Sequence, residues 1–267
     1  MTHAVIGFGR LARALVPALQ AAGHAVRVGR RQPGPGEFTA ADAAAAADWV
    51  WLTVPDDQIA VTAAALPWRA GQLALHCSGA TPLTALATAP AAAGFHPLKL
   101  LAGAAGLAGA HVGIEAPPDL LPALQALAVD LGMQPLVLPT PMGAAARAAY
   151  HAAANLAASG VLAVLAEAQA LWTAAGLAPA QALPALTPLT QGALATALVQ
   201  GLPGAVSGPV ARGDVGVIAR HREAAAAAGL PHDLLLALAQ RQLGLAQAAG
   251  RLTEEQVTLV QQALGKA

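Results

Sequence analysis

The residues of this chain best suited to chemistry are a few polar side chains set in long apolar surroundings. His96 lies in Phe95-His96-Pro97-Leu98-Lys99. An imidazole exchanges a proton near neutral pH, so His96 can serve as a general acid. It can equally be hydrogen-bonded to backbone and hold the Pro97 turn. Lys99 follows as a second candidate catalytic group. An earlier apolar run ends in His76-Cys77-Ser78-Gly79, which adds His76 and Ser78. Cys77 points to the opposite strand face from His76 and belongs with the core. No G-x-S-x-G surrounds Ser78, so a hydrolase elbow is disfavoured. Between Ala144 and Ala166 the polar side chains are Arg147, Tyr150, His151, Asn155 and Ser159. At about 100° per residue, Arg147, His151 and Asn155 fall within an arc of about 80°, with Tyr150 at its border. Such a stripe faces water or a cleft. A solvated face normally carries Lys and Glu, so the cleft is favoured. A third group is Ser207-Gly208-Pro209-Val210-Ala211-Arg212-Gly213-Asp214. Arg212 suits a substrate carboxylate or is a surface charge, and Asp214 caps the helix that follows.

These residues need a scaffold, and the start of the chain supplies one. Gly7-Phe8-Gly9-Arg10-Leu11-Ala12 stands between the apolar run Ala4-Val5-Ile6 and a helical segment from Leu11 to Leu19. Gly7 permits a tight turn, Gly9 lets a pyrophosphate approach the backbone, and Ala12 lets the helix lie close to the strand. Free N–H groups at the helix start then face phosphates. A second strand, Ala25 to Gly29, completes the unit that this glycine pattern requires. It leads into Arg30-Arg31 rather than an acidic residue, and the next carboxylate is Glu37. Two guanidiniums there suit the 2′-phosphate of NADP, whereas an NAD site favours Asp or Glu. Either arginine can also be a solvated loop charge. Val54 and Pro55, where the third strand ends, turn the chain over the cofactor, and Asp56 is expected to cap the next helix.

Strand and helix alternate to about residue 139. Strands are expected at His3–Ile6, Ala25–Gly29, Trp49–Val54, Gln72–His76, Ala93–His96, His111–Glu115 and Pro135–Leu138. Helices are expected at Arg10–Ala22, Ala40–Ala47, Asp56–Leu66, Pro82–Ala87 and Pro118–Leu131. This predicts an α/β fold of Rossmann type with a mostly parallel sheet. After Pro139-Thr140-Pro141 the strand signals stop, and the rest reads as an all-α C-terminal domain. The expected domains are 1–139, dinucleotide-binding, and 140–267, helical, for substrate binding and dimerisation. The last helix opens on the capping-box pattern Thr253-Glu254-Glu255-Gln256.

The chain has 267 residues with 14 basic and 14 acidic side chains, so its net charge is zero. No basic patch or arm is visible, which argues against nucleic acid as a partner. The single Cys77 excludes an internal disulfide and a cysteine-built zinc site, and no metal is expected. More than a quarter of the residues are alanine. The apolar stretch from Ala152 to Leu171 contains Asn155, Ser159, Glu167 and Gln169. It reads as a buried helix, not a membrane span. The opening Met-Thr-His enters a strand at once, so no signal peptide is read, and a soluble cytoplasmic protein is expected.

Joined in order, the motifs are Gly7-x-Gly9-x-x-Ala12, Val54-Pro55-Asp56-Asp57, His76-Cys77-Ser78-Gly79-Ala80, Phe95-His96-Pro97-Leu98, Tyr150-His151-Ala152-Ala153-Ala154 and Gly208-Pro209-Val210-Ala211-Arg212-Gly213-Asp214. Over nearly its whole length the chain resembles a Rossmann-like bacterial family with an uncharacterised helical C-terminal domain. That family is related to pyrroline-5-carboxylate reductase and the deazaflavin-dependent NADP reductases. The resemblance implies NADP binding, a helical second domain and a homodimer formed through it. The stretch from Gly143 through Arg147 and His151 to Asn155 is also similar to a helix of the β-hydroxyacid dehydrogenases, but lacks their catalytic lysine.

The expected function is NADP-dependent hydride transfer to or from a small carbonyl or imine. His96 or His151 supplies the proton, Asn155 orients the substrate, and Tyr150 and Arg212 bind it. Cofactor contacts fall to Gly7, Phe8, Gly9, Arg10, Leu11, Ala12, Arg30, Arg31, Val54, Pro55 and Ser78. Two other classes stay open: a non-catalytic NADP-binding sensor or regulatory protein, and a hydrolase or isomerase in which NADP is structural.

Overall fold

The computed structural model describes residues 1–267 except 36, 103–105, 231, 266 and 267, and except the side chain of residue 232. It divides into two compact units, Met1–Ala158 and Ser159–Ala267.

In the first unit, β1 (Thr2–Ile6), β2 (Ala25–Arg30), β3 (Phe38–Thr39), β4 (Trp49–Leu52), β5 (Leu73–His76), β6 (Ala91–Leu98), β7 (His111–Glu115) and β8 (Gln134–Val137) form one sheet. Its order is β3-β2-β1-β4-β5-β6-β7-β8. Every neighbouring pair is parallel except β6 with β7. The order reverses beside β1, so the carboxyl end of that strand lies at the switch point where open parallel sheets bind ligands. Helices α1 (Arg10–Ala21), α2 (Ala40–Ala45), α3 (Ile59–Ala65) and α4 (Leu121–Asp130) connect the strands. Alternate strand residues serve two cores. Val5, Trp51, Leu75 and Phe95 pack with α1 and α4 on one face. Ala4, Ile6, Val50 and Ala74 pack with α2 and α3 on the other.

The local readings differ in detail. The segment after β4 begins as a short 3-10 turn, Asp56–Gln58, and the expected helix near Pro82 is a 3-10 turn, Leu83–Leu86. The two-residue β3 lacks the length for a periodic signal.

The first unit continues past 139 because α5 (Ala144–Asn155) docks on the sheet. Buried Arg147 pairs with buried Glu115 at the end of β7, and Tyr150 reaches His96 on β6. A π-helical turn, Leu156–Gly160, joins α5 to α6 (Val161–Ala174). The second unit continues with α7 (Pro179–Ala205), broken at Gly201, then α8 (Pro209–Arg212), α9 (Val215–Ala227), α10 (His232–Ala248) and α11 (Glu254–Ala263). Asp214 caps α9 by accepting from the Val217 N–H, and Thr253 with Gln256 closes a full capping box on α11. Val210, Ile218, Leu243, Val260 and Leu264 form this unit's own small core.

The apolar stretch read as a buried helix is not buried. No residue of α6 is buried, and of α7 only Ala182 is. Their composition favours burial, but within the chain α6 has little besides α7 against it. By length and composition alone, Ala144–Ala174 and Pro179–Ala205 could each cross a membrane.

Candidate functional site

The carboxyl edge of the parallel strands carries the chemistry. After β1 the chain turns at Gly7, whose φ is +93°. A Cβ there would meet the Thr53 carbonyl oxygen at 3.0 Å and Val54 Cγ1 at 3.1 Å, so glycine is required on both counts. At Gly9 a Cβ would meet nothing within 4 Å. The space beside that backbone is open, as the approach of a bulky anion requires. Gly9 is the N-cap of α1, and no side chain caps the helix, so its first N–H groups are left for a ligand. Ala12 is fully buried against the sheet.

A cavity of about 510 Å³ opens over this turn. It is lined by Gly7, Phe8, Gly9, Arg30, Arg31, Gln32, Thr53, Val54 and Pro55. Arg10 and Leu11 belong to the first turn of α1 and do not line it. The two arginines differ. The Arg30 guanidinium lies over the Phe8 ring, 4.4 Å from its centroid, and its Nε is 2.9 Å from Glu37 Oε1. Arg31 is exposed and forms no ion pair among the described residues.

Further along the same edge, Ser78 donates to Asp56 Oδ2 at 2.8 Å and accepts from the backbone N–H groups of Ala80 and Thr81. Its hydroxyl is thereby occupied in shaping the turn after β5. Asp56 does not cap the segment that follows it, which has no side-chain cap. Its carboxylate instead accepts from Ser78, which the neighbouring strand end brings beside it. Burial pushes the Cys77 thiol up to about 12, and Cys77 packs on the core face opposite His76.

Beside this turn, two rows of residues cross the sheet. His76, Gly94 and Glu115 are in register on β5, β6 and β7, and so are His96 and Gly113 on β6 and β7. Residues in register share a face, and here glycines alternate with polar side chains. A Cβ on Gly94 would lie 3.5 Å from His76 Cε1 and 3.6 Å from Glu115 Cβ. A Cβ on Gly79 would collide with the His96 ring, and one on Gly113 with the Tyr150 hydroxyl. Gly79 and Gly113 make room for a polar layer under α5, whereas a Cβ at Gly94 would be in ordinary contact. Glu115 accepts from the Met142 N–H at 2.8 Å and from the Arg147 guanidinium. His96 Nδ1 and the Tyr150 hydroxyl share a hydrogen bond of 2.9 Å. Burial, then nearby His151, holds His96 below its ordinary pKa, with Asp56 opposing. Burial raises Tyr150, with Arg147 opposing. At neutral pH the tyrosine keeps its proton and the imidazole is uncharged.

A second cavity of about 510 Å³ lies along α5, walled by Ala80, Pro82, Met142, Arg147, His151 and Asn155 among others. The stripe of Arg147, His151 and Asn155 therefore faces one space, with Arg147 buried at its base and the other two exposed. Lys99 is not part of this group. It follows the last paired residue of β6, and its ammonium donates to the Ala108 carbonyl at 2.7 Å, bracing the loop before β7. Arg212 lies in the second unit, exposed at the end of α8. Glu115 was not singled out from sequence. Its signal was a lone carboxylate closing an otherwise apolar strand, Val112 to Glu115.

Solved structures share this fold. A Bacteroides fragilis protein named as a candidate NADP oxidoreductase is 20% identical, with a TM-score of 0.71 over 91% of this chain and 98% of its own. A reductive aminase from Aspergillus terreus, in complex with NADPH and ethyl levulinate, is 17% identical, with a TM-score of 0.65 over 98% of both chains. An imine reductase from Myxococcus stipitatus, in complex with NADP+, is 16% identical, with a TM-score of 0.66 over 97% of this chain and 99% of its own. At these identities the likeness establishes the architecture. No curated protein matches the sequence. The sequence model of a family described as a domain of unknown function, DUF2520, matches residues 110–248, from just before β7 to the end of α10. That span is over half of the chain, and the chain belongs to this family.

Proposed function

We propose that the protein is an NADP-dependent oxidoreductase that reduces a small carbonyl or imine. The observation that carries this reading is one sheet edge holding two things together: an open glycine turn beside Arg31, which has no ion pair among the described residues, and a half-buried His96–Tyr150 pair with its proton in place. The open space at Gly9 and the uncapped start of α1 fit a pyrophosphate, and Arg31 fits a 2′-phosphate. Such similar folds as the imine reductase and the reductive aminase, with NADP+ and NADPH respectively, support the same choice. When bound, the coenzyme supplies the hydride. The chain supplies the rest. Tyr150, which burial keeps protonated at neutral pH, is the proton donor, and its hydrogen-bonded neighbour His96, uncharged there, relays the replacement by giving up a proton at Nδ1 as it takes one from solvent at Nε2. His151, next to Tyr150, and Asn155, one turn further along α5, orient the polar atom of the substrate.

The test joins direct binding to turnover. NADPH should bind more tightly than NADH, and a panel of cyclic imines and keto acids should reveal NADPH oxidation. Tyr150→Phe removes one oxygen and leaves the glycine turn untouched. It should lower kcat by about 10²–10⁴-fold, the usual contribution of a positioned acid, without changing NADPH affinity. Unchanged kcat in that variant excludes Tyr150 as the donor. NADPH binding with no turnover across the panel would favour a dinucleotide-binding sensor instead.

A further inference from the structure

Glu37 is the carboxylate nearest the end of β2, and it is committed at both oxygens. Oε1 lies 2.9 Å from Arg30 Nε, and Oε2 accepts from the Gly34 N–H at 2.9 Å. The Glu37 N–H in turn donates to the Gly34 carbonyl at 3.0 Å, so a closed turn holds the carboxylate in place. Glu37 is not among the residues that line the cavity, whereas Arg30, Arg31 and Phe8 are. Arg30 thus has one face on the Phe8 ring and one edge on Glu37. An incoming phosphate dianion at Arg30 would have to break this pair or share one guanidinium with a second anion. Arg31, on the same cavity, carries neither constraint.

We propose that Glu37 is a specificity-determining residue: it keeps Arg30 as a neutralised, stacked platform and leaves the 2′-phosphate of the coenzyme to Arg31. This rests on the reading of the cavity as a dinucleotide site. Glu37 thereby moderates the preference for a phosphorylated ribose rather than creating it. The pair is part-exposed, with the Arg30 and Glu37 side chains 36% and 26% accessible. Its influence is therefore screened, and severalfold effects are expected.

The experiment is direct titration of the full-length protein with NADPH, NADH and 2′,5′-ADP, without turnover. Arg31→Ala should weaken NADPH by at least about tenfold while sparing NADH, the loss expected for a charge-assisted hydrogen bond. Arg30→Met together with Glu37→Gln removes the pair as a unit without leaving an unpaired charge, keeps an apolar stem over Phe8, and should leave the NADPH-to-NADH ratio nearly unchanged. Glu37→Gln alone keeps an acceptor for the Gly34 N–H and should raise that ratio by about threefold, with tighter 2′,5′-ADP binding. The double variant should lack that gain, because the freed guanidinium is gone. A native protein that prefers NADPH but loses its preference in the double variant overturns this inference and leaves the coenzyme reading standing. So does a Glu37→Gln ratio equal to the native one. If none of the three ligands binds the native protein, the coenzyme reading itself falls, and this inference with it.

Discussion

His76 and His3 carry an acid sensitivity that follows from where each ring sits. His76 closes β5 in the polar layer under α5, fully buried, with neither ring nitrogen partnered among the described residues. His3 is fully buried on β1, where its Nδ1 accepts from Trp51 Nε1 at 2.9 Å. Both are lowered from 6.5 to about 4, chiefly by burial. Below the ordinary value the unfolded chain takes up these protons and the folded chain does not. Stability is therefore fullest above pH 6.5 and is lost as pH falls from 6.5 towards 4. Between pH 7 and pH 5 the loss is about 2 kcal/mol for each ring. Urea unfolding followed by tryptophan fluorescence at the two pH values should show it. His76→Leu removes a titrating group and two orphaned polar atoms, so it should lose less stability over this interval than the native chain. Identical losses in the two proteins would mean that His76 is not held neutral.

At the scale of elements, the docking of α5 rests on one buried pair. Glu115 is 2% and Arg147 4% exposed, and the acid also holds the Met142 N–H at the entry to the helix. A buried pair is costly to halve, because the remaining charge has no solvent. Glu115→Gln should keep the bond to Met142 and strand the Arg147 charge, destabilising the first unit by about 3–5 kcal/mol. Adding Arg147→Met should recover much of that loss. An effect of Glu115→Gln below about 1 kcal/mol in urea unfolding would show that the pair does not hold the helix. This element also marks where sequence reasoning stops. The strand, glycine turn and helix at 2–21 were legible because each part is specified by its neighbours. The capping box at Thr253 was legible for the same reason. Glu115 and Arg147 are 32 residues apart. Their pairing depends on the antiparallel entry of β7 and on the docking of α5 on the sheet, neither of which is local. Likewise Asp56 had a helix to cap in sequence and a Ser78 hydroxyl to bind in space.

At the scale of the molecule, the second unit exposes many large apolar side chains. On α7, which has no charged residue, Leu198 is 90% and Val199 84% exposed, and Leu189, Leu194 and Leu202 are also open. On α6, Leu162 and Val164 are exposed, and Glu167 is the only charge. Burying one such side chain gains about 1.5–3 kcal/mol, so several on these two helices provide a strong drive for association. Abundant alanine lets helices approach closely, and a second copy would present the same face in a closed, two-fold arrangement. The full chain at micromolar concentration, without detergent, should sediment as a dimer or a larger closed assembly. Leu198→Glu places a charge on the most exposed leucine, where the isolated chain loses no packing. It should therefore spare folding and shift sedimentation towards monomer. A native chain that sediments as a clean monomer would defeat self-association. One that enters solution only with detergent would assign these helices to lipid, since α7 and the continuous run Ala144–Ala174, which ends in α6, are each long and apolar enough to span a bilayer. A dimer unaffected by Leu198→Glu would move the interface off this part of α7.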